Sequence, residues 1–222
     1  MWYHRDAICS IIMTTNYDKI ATSYDLIRRV VLGNTIVKAQ VCLLKYIPAN
    51  SSVLIVGGGT GWIIEEITKI HDAGLMIDYV ESSKKMIALS EKRNKGKNNI
   101  NFIHQPVEAY TTTTKYDIII TPFLFDNFTI DKIEIIFTKL NSFLKNDGSW
   151  LYADFVYDEN KGRLWQRALL KIMYWFFHIT CNIETQQLIN MDQFFDPLYN
   201  PVYQESYYHD FIQSVVYQRR RS

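Results

Sequence analysis

The chain has 222 residues, 48% of them hydrophobic, enough for one domain with a sizeable core and too many for a disordered chain. Its 24 basic side chains face 23 acidic ones, a formal net charge of +1, so no global field argues for a nucleic-acid partner. The three cysteines, Cys9, Cys42 and Cys181, are widely spaced and include no C-x-x-C pair. That pattern argues against a disulfide framework or a metal site and for a reducing compartment, the cytoplasm.

Residues 1–12 carry Arg5 and Asp6 and lack a long apolar core or a small-residue cleavage site. They read as a disordered or non-native extension, not as a signal peptide. Residues 17–32 have helical spacing (Tyr17, Ile20, Ala21, Tyr24, Ile27, Val31) and end at Gly33-Asn34, a C-cap signal. A second helix is predicted over 35–47, stopped by Pro48. Val53, Leu54, Ile55 and Val56 then run straight into Gly57, Gly58, Gly59, Thr60 and Gly61, and Trp62, Ile63, Ile64 and Ile67 follow at helical spacing. This is a buried strand, a tight turn and a helix N-terminus, the opening unit of a doubly wound α/β fold. Glycine at 57, 59 and 61 gives G-x-G-x-G. The dinucleotide fingerprint needs glycine at 62, where Trp62 stands, and this disfavours a nicotinamide-dependent oxidoreductase.

Further strands are predicted over 75–80, ending in Glu81, and over 99–103, 116–121 and 150–155. The last is entered through the turn Asn146-Asp147-Gly148. Residues 202–208 and 211–217 form a final antiparallel pair. Ser82 and Ser83 are N-cap signals for a helix over 84–93, and residues 130–144 are amphipathic. No repeat or long linker divides the chain, so residues 13–222 are taken as one domain.

Taken in order, these motifs resemble the class I S-adenosylmethionine (SAM)-dependent methyltransferases over most of the chain. The pattern Tyr17-Asp18-x-Ile20-Ala21-x-x-Tyr24-Asp25 is similar to the small-molecule group around the ubiquinone/menaquinone-biosynthesis C-methyltransferases. The resemblance implies a Rossmann-like α/β sandwich. Its sheet has seven strands, mostly parallel, with an antiparallel C-terminal hairpin and helices on both faces. It also implies SAM as cofactor, contacted by Tyr24, Gly57, Gly58, Gly59, Thr60, Gly61, Glu81, Ser82, Met86, Pro106, Val107, Glu108 and Thr121. Glu81 would accept both ribose hydroxyls, since an ionised carboxylate is acceptor-only. Residues 13–47 would close over the cofactor as lid helices, and residues 156–198 would form a helical segment on the substrate side. The sequence departs from the family at two places: Ile55 stands where an acidic residue usually precedes the first glycine, and Pro106 stands where an aspartate often meets adenine.

The expected reaction is methyl transfer to a small, apolar or aromatic acceptor by in-line displacement at the sulfonium methyl. The alternative is a SAM-binding or interaction protein of the same fold without transfer. Residues 121–128 follow the fourth strand, where such sheets bind ligands, and Asp126 and Asn127 are the candidate catalytic residues. An N-cap role for Asp126 ahead of residue 130 competes with that reading. Asp154 is a further candidate polar wall, whereas His104 and His178 read as structural or solvated. The segment 164–179 is a very apolar helix whose Arg163, Arg167, Lys171 and His178 fall on a stripe at steps of four and seven. Three roles fit it: packing on the sheet, walling a lipophilic acceptor, or lying peripherally at a membrane surface, where Arg219, Arg220 and Arg221 would add weak attraction.

Overall fold

In the computed structural model, the described residues are 18, 33–157, 163–181, 185 and 187–220. In chain order they form α1 (Thr35–Leu44), β1 (Ser52–Val56), α2 (Trp62–Ile70), β2 (Ala73–Glu81), α3 (Lys84–Ser90), β3 (Lys97–His104) and β4 (Tyr116–Pro122). After a 3-10 turn at Phe125–Asn127 come α4 (Ile130–Phe143), β5 (Leu144–Phe155), α5 (Leu164–Cys181), α6 (Asp192–Phe195), β6 (Tyr199–Tyr207) and β7 (Ile212–Arg219). Apart from Asp18, the predicted helix over 17–32, with Tyr24 in it, and the extension 1–12 lie outside the described residues.

The seven strands form one sheet in the order β3-β2-β1-β4-β5-β7-β6. The first five are parallel, and β7 pairs antiparallel with both β5 and β6. Strand order reverses between β1 and β4, so the carboxyl ends of these two strands flank the switch point where a ligand crevice forms. Every residue of β1 is buried, as expected of a central parallel strand covered on both faces.

Alternation along the strands splits the core in two. On one face Leu54, Val56, Ile119, Trp150 and Tyr152 pack with Ile133, Ile136, Phe137 and Leu140 of α4. On the other, Val53, Ile55, Ile77, Ile118 and Ile120 pack with Leu43 and Leu44 of α1 and Ile63, Ile64 and Ile67 of α2. Phe137 stacks on Trp150 with ring centroids 5.1 Å apart, and Phe195 of the short α6 stacks on Tyr217 at 4.1 Å. The sequence reading passed over α6.

Three boundaries differ from the sequence reading. α1 ends at Leu44 and α3 at Ser90, several residues early. Asn146, Asp147 and Gly148 are not a turn before β5 but lie inside it. Tyr116 pairs with Leu144 and Ile118 with Ser149, so the extra residues bulge out of the ladder.

The Tyr116-Asp117 pair at the start of β4 has a local reason. The Tyr116 hydroxyl donates to Asp78 on β2, and Asp117 accepts from the backbone N–H (2.8 Å) and hydroxyl (2.7 Å) of Ser52 on β1. Lys145 pairs with the other oxygen of Asp117 at 2.7 Å. Together these bonds tie the amino ends of β1, β2, β4 and β5 together, opposite the crevice.

Candidate functional site

The glycine loop leaves β1 at the switch point. Gly57 continues the sheet by donating to Val80 O (2.9 Å). A Cβ on Gly58 would lie 2.4 Å from the Tyr79 hydroxyl oxygen, so the loop sits down on the tyrosine, whose hydroxyl donates to Gly59 O at 3.0 Å. Gly61 has φ +79°, and a Cβ there would meet Ser90 Cα at 2.6 Å. That glycine lets α2 start directly against the end of α3. Arg93 closes the junction by donating to Thr60 O at 3.0 Å.

Glu81 ends β2 facing this loop. Its carboxylate is 5% exposed, and its oxygens accept from Gly59 N–H (3.0 Å), Ser83 N–H (2.9 Å) and the Ser82 hydroxyl (3.4 Å). Burial raises its pKa against the lowering effect of these bonds. Ser83 caps α3 by accepting from Met86 N–H at 3.2 Å. Asp18 reaches the same helix end, accepting from the Ser83 hydroxyl (2.5 Å) and Lys85 N–H (3.1 Å), and these bonds lower its pKa.

A solvent-open cleft of about 760 Å³ lies over the carboxyl ends of β1, β2 and β4. Gly57, Gly59, Glu81, Ser82, Met86, Pro106, Val107, Glu108 and Asn127 of the sequence-predicted set line it. Gln105, Phe123, Leu124 and Phe128 complete much of the wall. Gly58, Thr60 and Gly61 shape the turn from behind and are not in the lining. Thr121 is also outside it. It is fully buried, and its hydroxyl accepts from the Trp150 indole N–H at 2.9 Å, a core contact that its position on β4 did not reveal.

A second, much smaller cavity, with room for about one water, lies beside the first, and Asn127 lines both. Its other walls are Asp126, Phe155, Leu170, Met173, Tyr174 and Leu188. The loop after β4 supplies the polar part. Phe123 has φ +51°, and Asn127 Nδ2 folds back to donate to Phe123 O (3.1 Å), Leu124 O (3.1 Å) and Asp126 Oδ1 (2.6 Å). A bulky residue at positive φ beside a cleft marks a backbone whose shape the surroundings impose.

Asp126 does not cap α4; Thr129 holds the N-cap position, and Asp126 belongs to the 3-10 turn. Asp154 lies beneath that turn, 1% exposed, accepting from Phe125 N–H (3.0 Å) and Phe155 N–H (2.9 Å). Burial pushes the Asp154 carboxyl up to about 7, even against these bonds. Burial and then the charge of Asp154 raise Asp126 well above the usual carboxylate range. Both carboxyls therefore hold a proton more tightly than a solvated carboxyl would. Tyr174 was not singled out in the sequence; its hydroxyl oxygen is buried with no hydrogen-bond partner among the described residues. His104 is exposed and meets Ser82 O at 3.0 Å, as a structural histidine would.

Residues 53–148 match the family profile described as a methyltransferase domain. The matched stretch takes in the glycine loop, Glu81 and the first four strands, and over it the chain is similar to methyltransferases. The malonyl-[acyl-carrier protein] O-methyltransferase of Halalkalibacterium halodurans is 31% identical to it over 108 residues. That match takes in 47% of this chain and 39% of the relative. A second protein of that name, from Ilyobacter polytropus, is 34% identical over the same length and the same shares. The chain thus spans about two fifths of the length of these curated relatives. The solved DhpI–SAH complex shares the methyltransferase fold, with a TM-score of 0.66 at 14% identity, covering 91% of this chain and 93% of that one.

Proposed function

We propose that this chain binds SAM across the larger cleft and transfers its methyl group to a small, apolar or aromatic acceptor that enters beside Asn127, on the side of the smaller cavity. The observation that carries the reading is Glu81. It is a buried carboxylate at the switch point, fixed by two backbone N–H groups from opposite sides, with lone pairs left for the cleft. Such a group suits a ribose, whose two hydroxyls are donors. In this reading Gly57 and Gly59 meet the methionine end, Pro106, Val107 and Glu108 the adenine, and Ser82 and Met86 flank the ribose. Gly58, Thr60, Gly61 and Thr121 act through the shape of the loop and strand. Of residues 13–47, α1 packs against the sheet through Leu43 and Leu44, so the lid role is left to the stretch before it; support comes from Asp18, which bonds α3 beside Glu81. Tyr24 belongs to the same lid. Residues 156–198 form the acceptor side, consistent with Leu170, Met173, Tyr174 and Leu188 in the smaller cavity.

SAM supplies a methyl group already activated on a sulfonium, so the protein contributes alignment and exclusion of water. Asn127 lines both cavities and sits where donor and acceptor would meet. An acceptor O–H or N–H loses its proton as the new bond forms, and Asp126 is the group placed to take it. Its raised proton affinity makes it a stronger base than a solvated carboxylate.

A screen with methyl-labelled SAM tests the reading, comparing phenols and quinols with amines, nucleosides and peptides, alongside calorimetry with S-adenosylhomocysteine. Turnover of phenols or quinols supports it. Turnover confined to the polar set rejects the apolar acceptor. Tight cofactor binding with no turnover of any acceptor favours a SAM-binding protein without transfer.

A further inference from the structure

α5 is apolar on two faces, and only one of them is used by the fold. On its inner face Leu170, Leu169, Met173 and Tyr174 pack with Phe155, Phe211 and Ile212, and part of this face walls the smaller cavity. On its outer face Leu164 is 86% exposed, Ile172 62%, Trp175 67% and Ile179 58%. At 100° per residue these four fall within a single arc of about 80°. Arg167 and Lys171 are exposed on the adjoining arc, with Arg163 just before the helix in the same line. No Asp or Glu occurs anywhere in Leu164–Cys181. At the N-terminal end, Trp165 packs edge-on against Tyr208 of the β6–β7 turn at 5.2 Å, and Tyr208 is itself 37% exposed, so the apolar surface continues past the helix.

We infer that the outer face of α5 docks this protein on an anionic phospholipid surface, with the Leu164, Ile172, Trp175 and Ile179 side chains in the acyl–headgroup boundary and Arg163, Arg167 and Lys171 at the phosphates. An apolar stripe bordered on one side by cations is the pattern of a helix lying in the plane of a membrane interface. Tryptophan is suited to that depth, and long basic side chains reach outward from it. Charge decides between a bilayer and a second copy of this chain. A two-fold pairing of α5 on itself brings the basic stripes together, and the helix offers no carboxylate to neutralise them. A lipid headgroup layer supplies that anion everywhere along the stripe. The helix lies on the surface and does not cross it: no helix among the described residues is long and apolar enough to span a membrane. Docked this way, the wall shared with the smaller cavity lies one helix thickness from the lipid. On the proposed methyl-transfer reading, this shortens the route for a lipophilic acceptor.

The test is co-sedimentation of the full chain with large vesicles of phosphatidylcholine alone and of a three-to-one mixture with phosphatidylglycerol. The wild type should partition onto the mixed vesicles, weaken steeply with added salt, and bind phosphatidylcholine poorly. The double substitution Ile172→Ser, Trp175→Ser should weaken partitioning by roughly tenfold or more, through loss of apolar burial. Arg167→Gln with Lys171→Gln should remove the salt dependence and most of the anionic preference. Calorimetry with S-adenosylhomocysteine on each variant serves as the folding control, and it separates failure of docking from failure of the cofactor reading. Equal partitioning onto both vesicle types overturns the charge assignment. No partitioning onto either, or a dimer abolished by Ile172→Ser, Trp175→Ser, overturns the membrane assignment.

Discussion

The two halves of the site are built by different means. The half around β1, β2 and α3 is made of backbone: glycines pressed onto Tyr79 and Ser90, and a carboxylate that accepts N–H bonds from Gly59 and Ser83. The half around β4, β5 and α5 is made of side chains: the buried Asp154 and half-buried Asp126 carboxyls, a buried tyrosine hydroxyl without a partner among the described residues, and an apolar wall. Backbone geometry tolerates little change, because a single Cβ collides with atoms that cannot move. A side-chain cavity can be re-lined residue by residue. On the proposed reading, the first half holds the cofactor and the second the acceptor.

The largest expected effect tests the rigid half. Gly61→Ala places a Cβ 2.5 Å from Ser90 Cβ on a backbone at φ +79°, where it is strained in any case. The variant should lose about 3 kcal/mol or more of stability and most of its cofactor binding, seen as a lowered Tm with no rescue by S-adenosylhomocysteine. A folded, cofactor-competent variant would mean the loop is softer than its packing suggests.

The next tests the carboxyl pair. The folded state holds the Asp154 carboxyl at about 7, above its ordinary 3.8, so the folded protein binds more protons than the unfolded chain between those values. Stability should therefore fall as pH rises from about 4 to about 7, by on the order of 2–4 kcal/mol at most. Asp126→Asn removes one charge of the pair and should flatten that fall, a change read from denaturant midpoints across the pH range. Unchanged pH dependence would mean that the charge of Asp126 does not reach Asp154. If Asp126 is the base, methyl transfer in the wild type should instead rise with pH over the pair's titration, and Asp126→Asn should lose most of it.

Glu81→Ala should weaken S-adenosylhomocysteine binding by about 1–3 kcal/mol in calorimetry, the range for hydrogen bonds to a charged group. An unchanged affinity in a folded variant would remove the main support for the cofactor reading. Thr121→Val should cost about 1–2 kcal/mol in stability, by leaving the buried Trp150 N–H without an acceptor, while cofactor affinity stays the same. A clear loss of affinity there would return Thr121 to the cofactor site. Smallest is Asp18→Ala. It removes an exposed carboxylate from the start of α3 and should cost about 0.5–1 kcal/mol of stability or less. Under the lid reading, the variant should also release cofactor faster.

The amino-acid sequence by itself determined the fold and the half of the site around the glycine loop. Apolar runs of four to six residues mark the parallel strands, the glycine spacing at 57, 59 and 61 marks the turn, and Glu81 stands at the end of the strand that follows. These are local signals, because a buried strand, a tight turn and a strand end each leave their mark on consecutive residues. Only the tertiary structure decided the half around β4, β5 and α5. Asp126 and Asp154 are 28 positions apart in sequence, and it is the 3-10 turn folding over the end of β5 that brings the half-buried Asp126 near the buried Asp154. Thr121 reads as a strand-end residue until Trp150 turns its indole toward it. Both faces of α5 are apolar in the sequence, and packing alone chose which faces Phe155 and which faces outward. The reason is physical: burial and charge coupling depend on separations in space, and a one-dimensional pattern records them only where neighbours in space are also neighbours in the chain.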